Sequence, residues 1–212
     1  MKLICVRHGQ TDWNAENRIQ GHLDPELNEL GIRQAKAVAG ALADEHVDAI
    51  YSSDLQRAHV TAGIIAERHG LPVVLEPLLR EVCLGEWQGM TIPEIEEGYR
   101  QEYAAYRRDS VANRPPGAER VEDVIERARL FIEMVLAERP EGNMIVVAHG
   151  GIIRGALCYA LDSGPSLYRQ VRLENAGITV LGFSADGPPH IYGMNETCHL
   201  KAMDESDNMQ EL

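Results

Sequence analysis

Two apolar segments of this chain end alike: "ICVRHG" closes on His8 and Gly9, and "VVAHG" on His149 and Gly150. Each reads as a buried strand that delivers an imidazole at its carboxyl end. Arg7 precedes the first histidine, and Arg57 follows "YSSDLQ" in what reads as the first turn of a helix. A guanidinium placed there lies beside backbone amides that already favour an anion. Arginine suits such a place because its planar fork binds oxyanions through two parallel N–H groups. If the two strands are neighbours in a parallel sheet, both histidines reach the edge at which such sheets bind ligands. Two arginines, two histidines and a helix start at one edge describe a pocket for a phosphoryl group. Each feature alone has an ordinary structural explanation; their combination is specific. Paired histidines can also hold a metal. Arginine beside both strand ends is a poor neighbour for a cation, and no Asp/Glu ligand motif accompanies them, so neither metal nor cofactor is expected.

The elements that must position these groups alternate along the chain. Residues 2–8, 47–53, 72–76 and 143–150 read as strands, and 177–184 with 189–195 as a closing pair joined by the "ADGPP" turn. Helical periodicity runs through 28–45, 54–69 and 119–139, and Thr91 with Glu94 has the spacing of a capping box. This order predicts an α/β three-layer sandwich with a mostly parallel sheet flanked by helices. Residues 82–120 break the rhythm. They hold "GEWQG", Tyr99, Tyr103 and Tyr106, and read as a helical excursion forming a lid or pocket wall, not a second domain. A single domain over 1–212 is expected, with an acidic, frayed tail at 203–212.

The 212 residues are 44% hydrophobic and 25% charged, as in ordinary soluble proteins. A net charge of -13 argues against a nucleic-acid partner. It leaves open a small anion, which feels the local site. No apolar run reaches the ~18 residues of a membrane span, and a strand beginning at Lys2 leaves no room for a secretory signal. Cys5, Cys83, Cys158 and Cys198 are far apart in sequence and read as reduced thiols in a cytoplasmic protein.

"VRHGQTDWN", "NRIQGHLDPELNELGIRQA", "YSSDLQRAHVTA", "LREVCLGEWQGMT" and "VVAHGG" together resemble the histidine phosphatase superfamily, also called phosphoglycerate mutase-like. The resemblance continues to "MNETCHL" and covers nearly the whole chain. It implies that His8 takes the phosphoryl group as a phosphohistidine. Arg7, Arg57 and His149 would hold the non-bridging oxygens, and Glu81 would protonate the leaving oxygen. Asn14, Gln20, Gly21 and Gly150 match positions that line the phosphate end of the pocket. The physics agrees with those roles. A nucleophilic imidazole must be neutral, and nearby arginines disfavour imidazolium. The turn at Gly9 offers a carbonyl for the proton on the other ring nitrogen. The same cations stabilise charge during transfer without a metal. Glu81 must carry a proton to act, which the nearby cations oppose and which desolvation and a bound phosphate dianion favour.

The remaining histidines are expected to be structural: His59 packed, His22, His46, His69 and His190 on the surface or in loops, and His199 structural in the closing segment. Trp87 and the three tyrosines read as core, and Arg107, Arg108, Arg114 and Arg120 as solvated. The family holds mutases and phosphatases. The short stretch between Glu81 and His149 and the "CLGEWQGMT" segment resemble the phosphatases, so hydrolysis of small phosphomonoesters is expected; the pattern resembles the broad-specificity and α-ribazole phosphatases, and one motif set also covers phosphoserine and sugar-phosphate phosphatases. The alternatives are a cofactor-dependent phosphoglycerate mutase, or a non-catalytic phosphate-binding module on the same fold. The closing strands could leave an edge for pairing into a homodimer.

Overall fold

In the computed structural model, which describes residues 1–184 and 187–201, the apolar runs become six strands of one sheet. In chain order the elements are β1 (Lys2–Arg7), α1 (Asp12–Ala15), α2 (Glu29–Ala41), β2 (Ala49–Ser52), α3 (Gln56–His69), β3 (Val73–Leu75), α4 (Ile92–Gly98), α5 (Arg100–Arg108), α6 (Val121–Glu138), β4 (Asn143–Ala148), α7 (Gly150–Ala160), β5 (Ile178–Ser184) and β6 (Gly187–Glu196). The sheet order is β3-β2-β4-β1-β5-β6. The first four of these strands run parallel, and β5 and β6 are antiparallel additions. This is the expected mostly parallel α/β sandwich.

Strand side chains alternate between faces, and here both faces are covered, so the central strands must be apolar throughout. Leu3 and Cys5 of β1, with Met144, Val146 and Ala148 of β4, pack on α6 and α7. Ile4 and Val6, with Ile145 and Val147, pack on α2 and α3. Pairing of β1 with β4 is in register from Lys2 opposite Asn143 to Arg7 opposite Ala148. The residue after each strand is therefore a histidine at the same sheet edge.

The helix α7 has no counterpart in the sequence reading. Its segment, "GGIIRGALCYA", carries three glycines, each a weak helix former, and it is buried at eight of eleven positions. With nearly every side covered there is no amphipathic stripe to detect. The glycines serve close packing: a Cβ on Gly155 would press on the Val124 carbonyl of α6. The other helices begin or end a few residues inside their expected bounds. The excursion contains α4 and α5 and no strand, and Thr91 and Glu94 form the capping box. Trp87, Ile95 and Tyr103 make a small separate core, with Tyr99, Tyr103 and Tyr106 all edge-on to Trp87. His59 is exposed on the outer side of α3, not packed as expected. The short β3 and the longer β6 are the sheet's edges. No helix among the described residues is long and apolar enough to cross a membrane. Part of the expected "ADGPP" turn, Ala185 and Asp186, and the tail at 203–212 lie outside the described residues.

Candidate active site

His8 is buried at the end of β1, and its Nδ1 lies 2.6 Å from the carbonyl oxygen of Gly9. A carbonyl only accepts, so Nδ1 carries the ring proton and Nε2 is left with its lone pair. Three contacts hold this turn. The His8 N–H donates to Ala148 O at 3.0 Å, which ties β1 to β4. The Gly9 N–H donates to Thr61 Oγ1 at 3.1 Å, and Thr61 donates to the Arg57 carbonyl at 2.7 Å. Asn175 Nδ2 reaches the carbonyls of His8 (3.1 Å) and Gly9 (3.3 Å). Gly9 is required by close approach: a Cβ there would collide with the carbonyl of Gly31 at the start of α2.

The His149 ring lies 5.1 Å from the His8 ring, centre to centre. Its Nε2 is 2.9 Å from Ser53 Oγ, which also accepts the Leu55 N–H. The serine proton can then go to Nε2, which places the His149 ring proton on Nδ1. That Nδ1 is buried without a partner. The same holds for Nε of Arg7 and Nε of Arg57. A buried donor left unpaired costs about 1–3 kcal/mol, and native proteins keep few of them. Three around one imidazole make a cradle of N–H groups suited to an oxyanion.

The hydrogen bonds that orient the arginines go to backbone; Asp24 lies within ion-pair distance of Arg57, at 3.7 Å from Nη1, but beyond hydrogen-bond range. Arg57, 1% exposed, donates to the carbonyls of Gly21 and Leu23, each at 2.8 Å. Arg7 donates to the Leu173 carbonyl at 2.5 Å. Neutral carbonyls orient a guanidinium without cancelling its charge. Burial pulls Arg57 down to about 10, against the opposing pull of Glu81 and Asp24. Burial also lowers Arg7, against the pull of Glu81.

Glu81 lies on the loop before the excursion. Its Oε1 accepts the N–H groups of Val82 (2.8 Å) and Gly151 (2.9 Å), the second from the first turn of α7. A Cβ on Gly151 would collide with that oxygen, so the glycine makes the contact possible. The loop itself is braced from both ends. Arg80 forms a two-pronged pair with Asp54, and Arg127 holds the carbonyls of Leu78 and Arg80 while paired with Glu119. His22, exposed as expected, donates from Nε2 to the Glu81 carbonyl at 2.8 Å.

The geometry thus brings His8, Arg7, Arg57, His149 and Glu81 together, and places the other four candidates around them in different ways. Asn14 directs its Oδ1 to Thr11 N–H and Asn175 Nδ2, making it part of the helix cap and of the His8 turn. Gln20 is buried, its amide oxygen unpartnered. Gly21, at φ +52°, acts through the carbonyl that fixes Arg57. Gly150 opens α7 beside the Arg7 guanidinium. Sequence reasoning missed Ser53, Thr61 and Asn175. The first two lie in the "YSSDLQRAHVT" segment already singled out, Thr61 one helical turn after Arg57. Asn175 is signalled only by the turn-like "ENAG". His199 donates to or accepts nothing from the site; its Nε2 bonds the Ala176 carbonyl at 3.0 Å, a structural role as expected.

A family model for the histidine phosphatase superfamily (branch 1) matches residues 3–197. The chain belongs to that superfamily. Phosphoserine phosphatase 1 of Hydrogenobacter thermophilus is 35% identical over 200 residues, covering 94% of each chain. Glucosyl-3-phosphoglycerate phosphatase of Mycobacterium tuberculosis is 42% identical over 168 residues, 76% of this chain and 74% of the relative. The structure of the mycobacterial glucosyl-3-phosphoglycerate phosphatase with VO3 superposes with a TM-score of 0.85 at 36% identity, over 92% of this chain and 99% of that one.

In this histidine phosphatase both imidazoles are held well below the ordinary histidine value of 6.5. Burial is the largest cause for each, followed by the Arg57 charge; for His8 the Gly9 hydrogen bond works in the opposite direction. Below pH 6.5 the unfolded chain therefore binds protons that the folded chain refuses. Stability falls as pH drops through that value, by about 1.4 kcal/mol per pH unit for each histidine, until the folded-state values are reached. Thermal melts between pH 7.5 and 5 are expected to show this decline, with a shallower slope in His8→Ala. A melting temperature flat across that range would contradict the neutral assignment. Arg57→Ala is expected to lower kcat by about 10²–10³-fold, the loss typical of one charged transition-state contact in a dry site. Arg57→Lys should not restore it, since a single ammonium cannot reach the carbonyls of Gly21 and Leu23 while also presenting Nε. Circular dichroism on both variants separates this loss from unfolding, and wild-type kcat in either would contradict the assignment.

Proposed function

We propose that this chain is a metal-independent phosphatase acting on small phosphomonoesters through a phosphohistidine on His8. The observation that carries this reading is the His8 ring, fixed with Nε2 unprotonated inside three unpaired N–H donors of Arg7, Arg57 and His149. In the first step the Nε2 lone pair attacks phosphorus and the ester P–O bond breaks. The leaving oxygen takes a proton from Glu81. The arginines and His149 bind the non-bridging oxygens, whose charge is spread during transfer. In the second step Glu81, now a carboxylate, takes a proton from water as that water attacks phosphorus. The P–N bond breaks, inorganic phosphate leaves, and Nε2 regains its lone pair.

The relatives that are phosphoserine and glucosyl-3-phosphoglycerate phosphatases support hydrolysis as the reaction. One domain over 1–212, with the 82–120 excursion as a wall of the pocket, belongs to the same reading. So does a cytoplasmic location with a small-molecule partner and no nucleic acid. Four unpaired cysteines and the net charge of -13 support it. Release of phosphate from a panel of phosphomonoesters tests the proposal, with phosphoglycerate interconversion measured beside it. Turnover is expected with EDTA present, because the cradle's positive charge comes from arginine side chains. Activity abolished by chelation and restored by a divalent ion would overturn the metal-independent reading.

A further inference from the structure

With phosphorus held at His8, the leaving oxygen lies at Glu81, and the rest of the substrate extends into the space that Glu81 shares. That space is a cavity of about 310 Å³, lined among others by Arg7, Glu81, Gly150, Arg154, Arg172 and Glu174. Arg154 sits one turn into α7. Its Nε donates to the Gly150 carbonyl at 3.1 Å, and its guanidinium carbon lies over the ring of Tyr168, 4.4 Å from the ring centre. Attraction of this kind holds an arginine over the ring while leaving its other N–H groups free to bond. Both terminal nitrogens of Arg154 are without a hydrogen bond among the described residues, and neither Arg154 nor the exposed Arg172 has a carboxylate partner there. Arg80 and Arg127, which brace the Glu81 loop nearby, are by contrast paired with acids. The Tyr168 hydroxyl is itself buried without a partner, and a Cβ on Gly151 would meet both that hydroxyl and Glu81 Oε1. The Arg154–Tyr168 pair thus flanks the residue that handles the leaving oxygen.

We infer that Arg154, held on Tyr168 with Arg172 beyond it, binds a carboxylate carried by the leaving group of the substrate. The inference rests on the phosphomonoesterase reading above and narrows its substrate class. A carboxylate fits better than a second phosphate. Arg7 is engaged by the transferred phosphoryl group and Glu81 carries the proton for the leaving oxygen, so Arg154 and Arg172 set against the Glu174 carboxylate leave one positive charge, which matches one negative charge and not two.

The test compares 3-phosphoglycerate with glycerol 3-phosphate, which carries CH2OH where the former has its carboxylate, with nitrophenyl phosphate as a reference. A charge-assisted hydrogen bond of this kind corresponds to about 10–100-fold in kcat/KM. The wild-type protein is expected to favour the carboxylated ester by that order. Arg154→Met should collapse the ratio toward one, chiefly through KM for the carboxylated ester, and Arg154→Lys should recover part of it. Arg172→Met, at an exposed position with little bearing on folding, should reduce the ratio by a smaller factor. No preference in the wild type, an equal loss for both esters in Arg154→Met, or a stronger preference for a bisphosphate would overturn the inference. Turnover of nitrophenyl phosphate in those cases would leave the phosphomonoesterase reading standing; absence of turnover with all three esters would remove both.

Discussion

Replacing His8 with alanine is expected to reduce phosphate release by at least about 10³-fold, because a covalent route loses the atom that forms its bond. The arginines and His149 remain, but they stabilise transfer to a nucleophile that is no longer there. Water cannot occupy the same position with the same basicity, since Nε2 owes its free lone pair to the Gly9 carbonyl holding the proton on Nδ1. The protein should stay folded. Gly9 O keeps its contact with Asn175 Nδ2, so removing the imidazole leaves no orphaned carbonyl, and the His8 N–H still bonds Ala148 O. A stability change within about 1–2 kcal/mol is expected near neutral pH. Phosphate release together with a thermal melt on one preparation checks both halves. A folded variant with near-normal turnover would remove His8 from the chemistry.

The second large effect is expected at Glu81 and depends on the leaving group. An alkyl phosphate must expel a strongly basic alkoxide unless a proton arrives as the bond breaks. A nitrophenyl phosphate expels a stable phenolate and hardly needs the proton. Glu81→Gln should therefore lower kcat/KM by about 10²–10⁴-fold for an alkyl ester, the usual contribution of general acid catalysis, and far less for the aryl ester. The substitution suits the question because the glutamine Oε1 can still accept the N–H groups of Val82 and Gly151 that orient the native side chain. Both esters share every contact to the phosphoryl group, so only proton donation separates them. Equal losses would mean that Glu81 positions substrate or steers the arginines. Glu86, the next carboxylate along the loop, is already bonded to the Tyr99 hydroxyl at 2.9 Å and is poorly placed to substitute.

The parts of this molecule legible in sequence are those governed by local pattern. The central strands are buried on both faces and show as unbroken apolar runs, and repetition of His-Gly after two of them located the site edge before any pairing was known. Arg57 was legible because it opens a helix. What escaped was set by packing at a distance. The helix α7 is covered on nearly every side and tolerates glycines because Glu81 and Val124 press against them, so neither period nor propensity marks it. Asn175 reaches the His8 turn from 166 residues away, and no spacing rule can announce such a contact. Gly21 matches a pocket-lining position by motif alone, and only the fold shows that its carbonyl holds Arg57. Arg154 carries no local signal, because its meaning lies in its place over Tyr168 beside Glu81, which only the folded surroundings reveal.

The central claim is a covalent phosphoryl group on one imidazole nitrogen, and trapping it is the most direct measurement. The protein is mixed with a phosphomonoester labelled in its phosphoryl group, quenched with base to preserve phosphohistidine, digested, and the modified peptide sequenced. The expected result is label on Nε2 of His8, in the peptide containing "VRHGQ", lost on acid treatment and absent from His8→Ala. Label on His149, or turnover by the wild-type protein with no covalent phosphate at any quench time, would contradict the account.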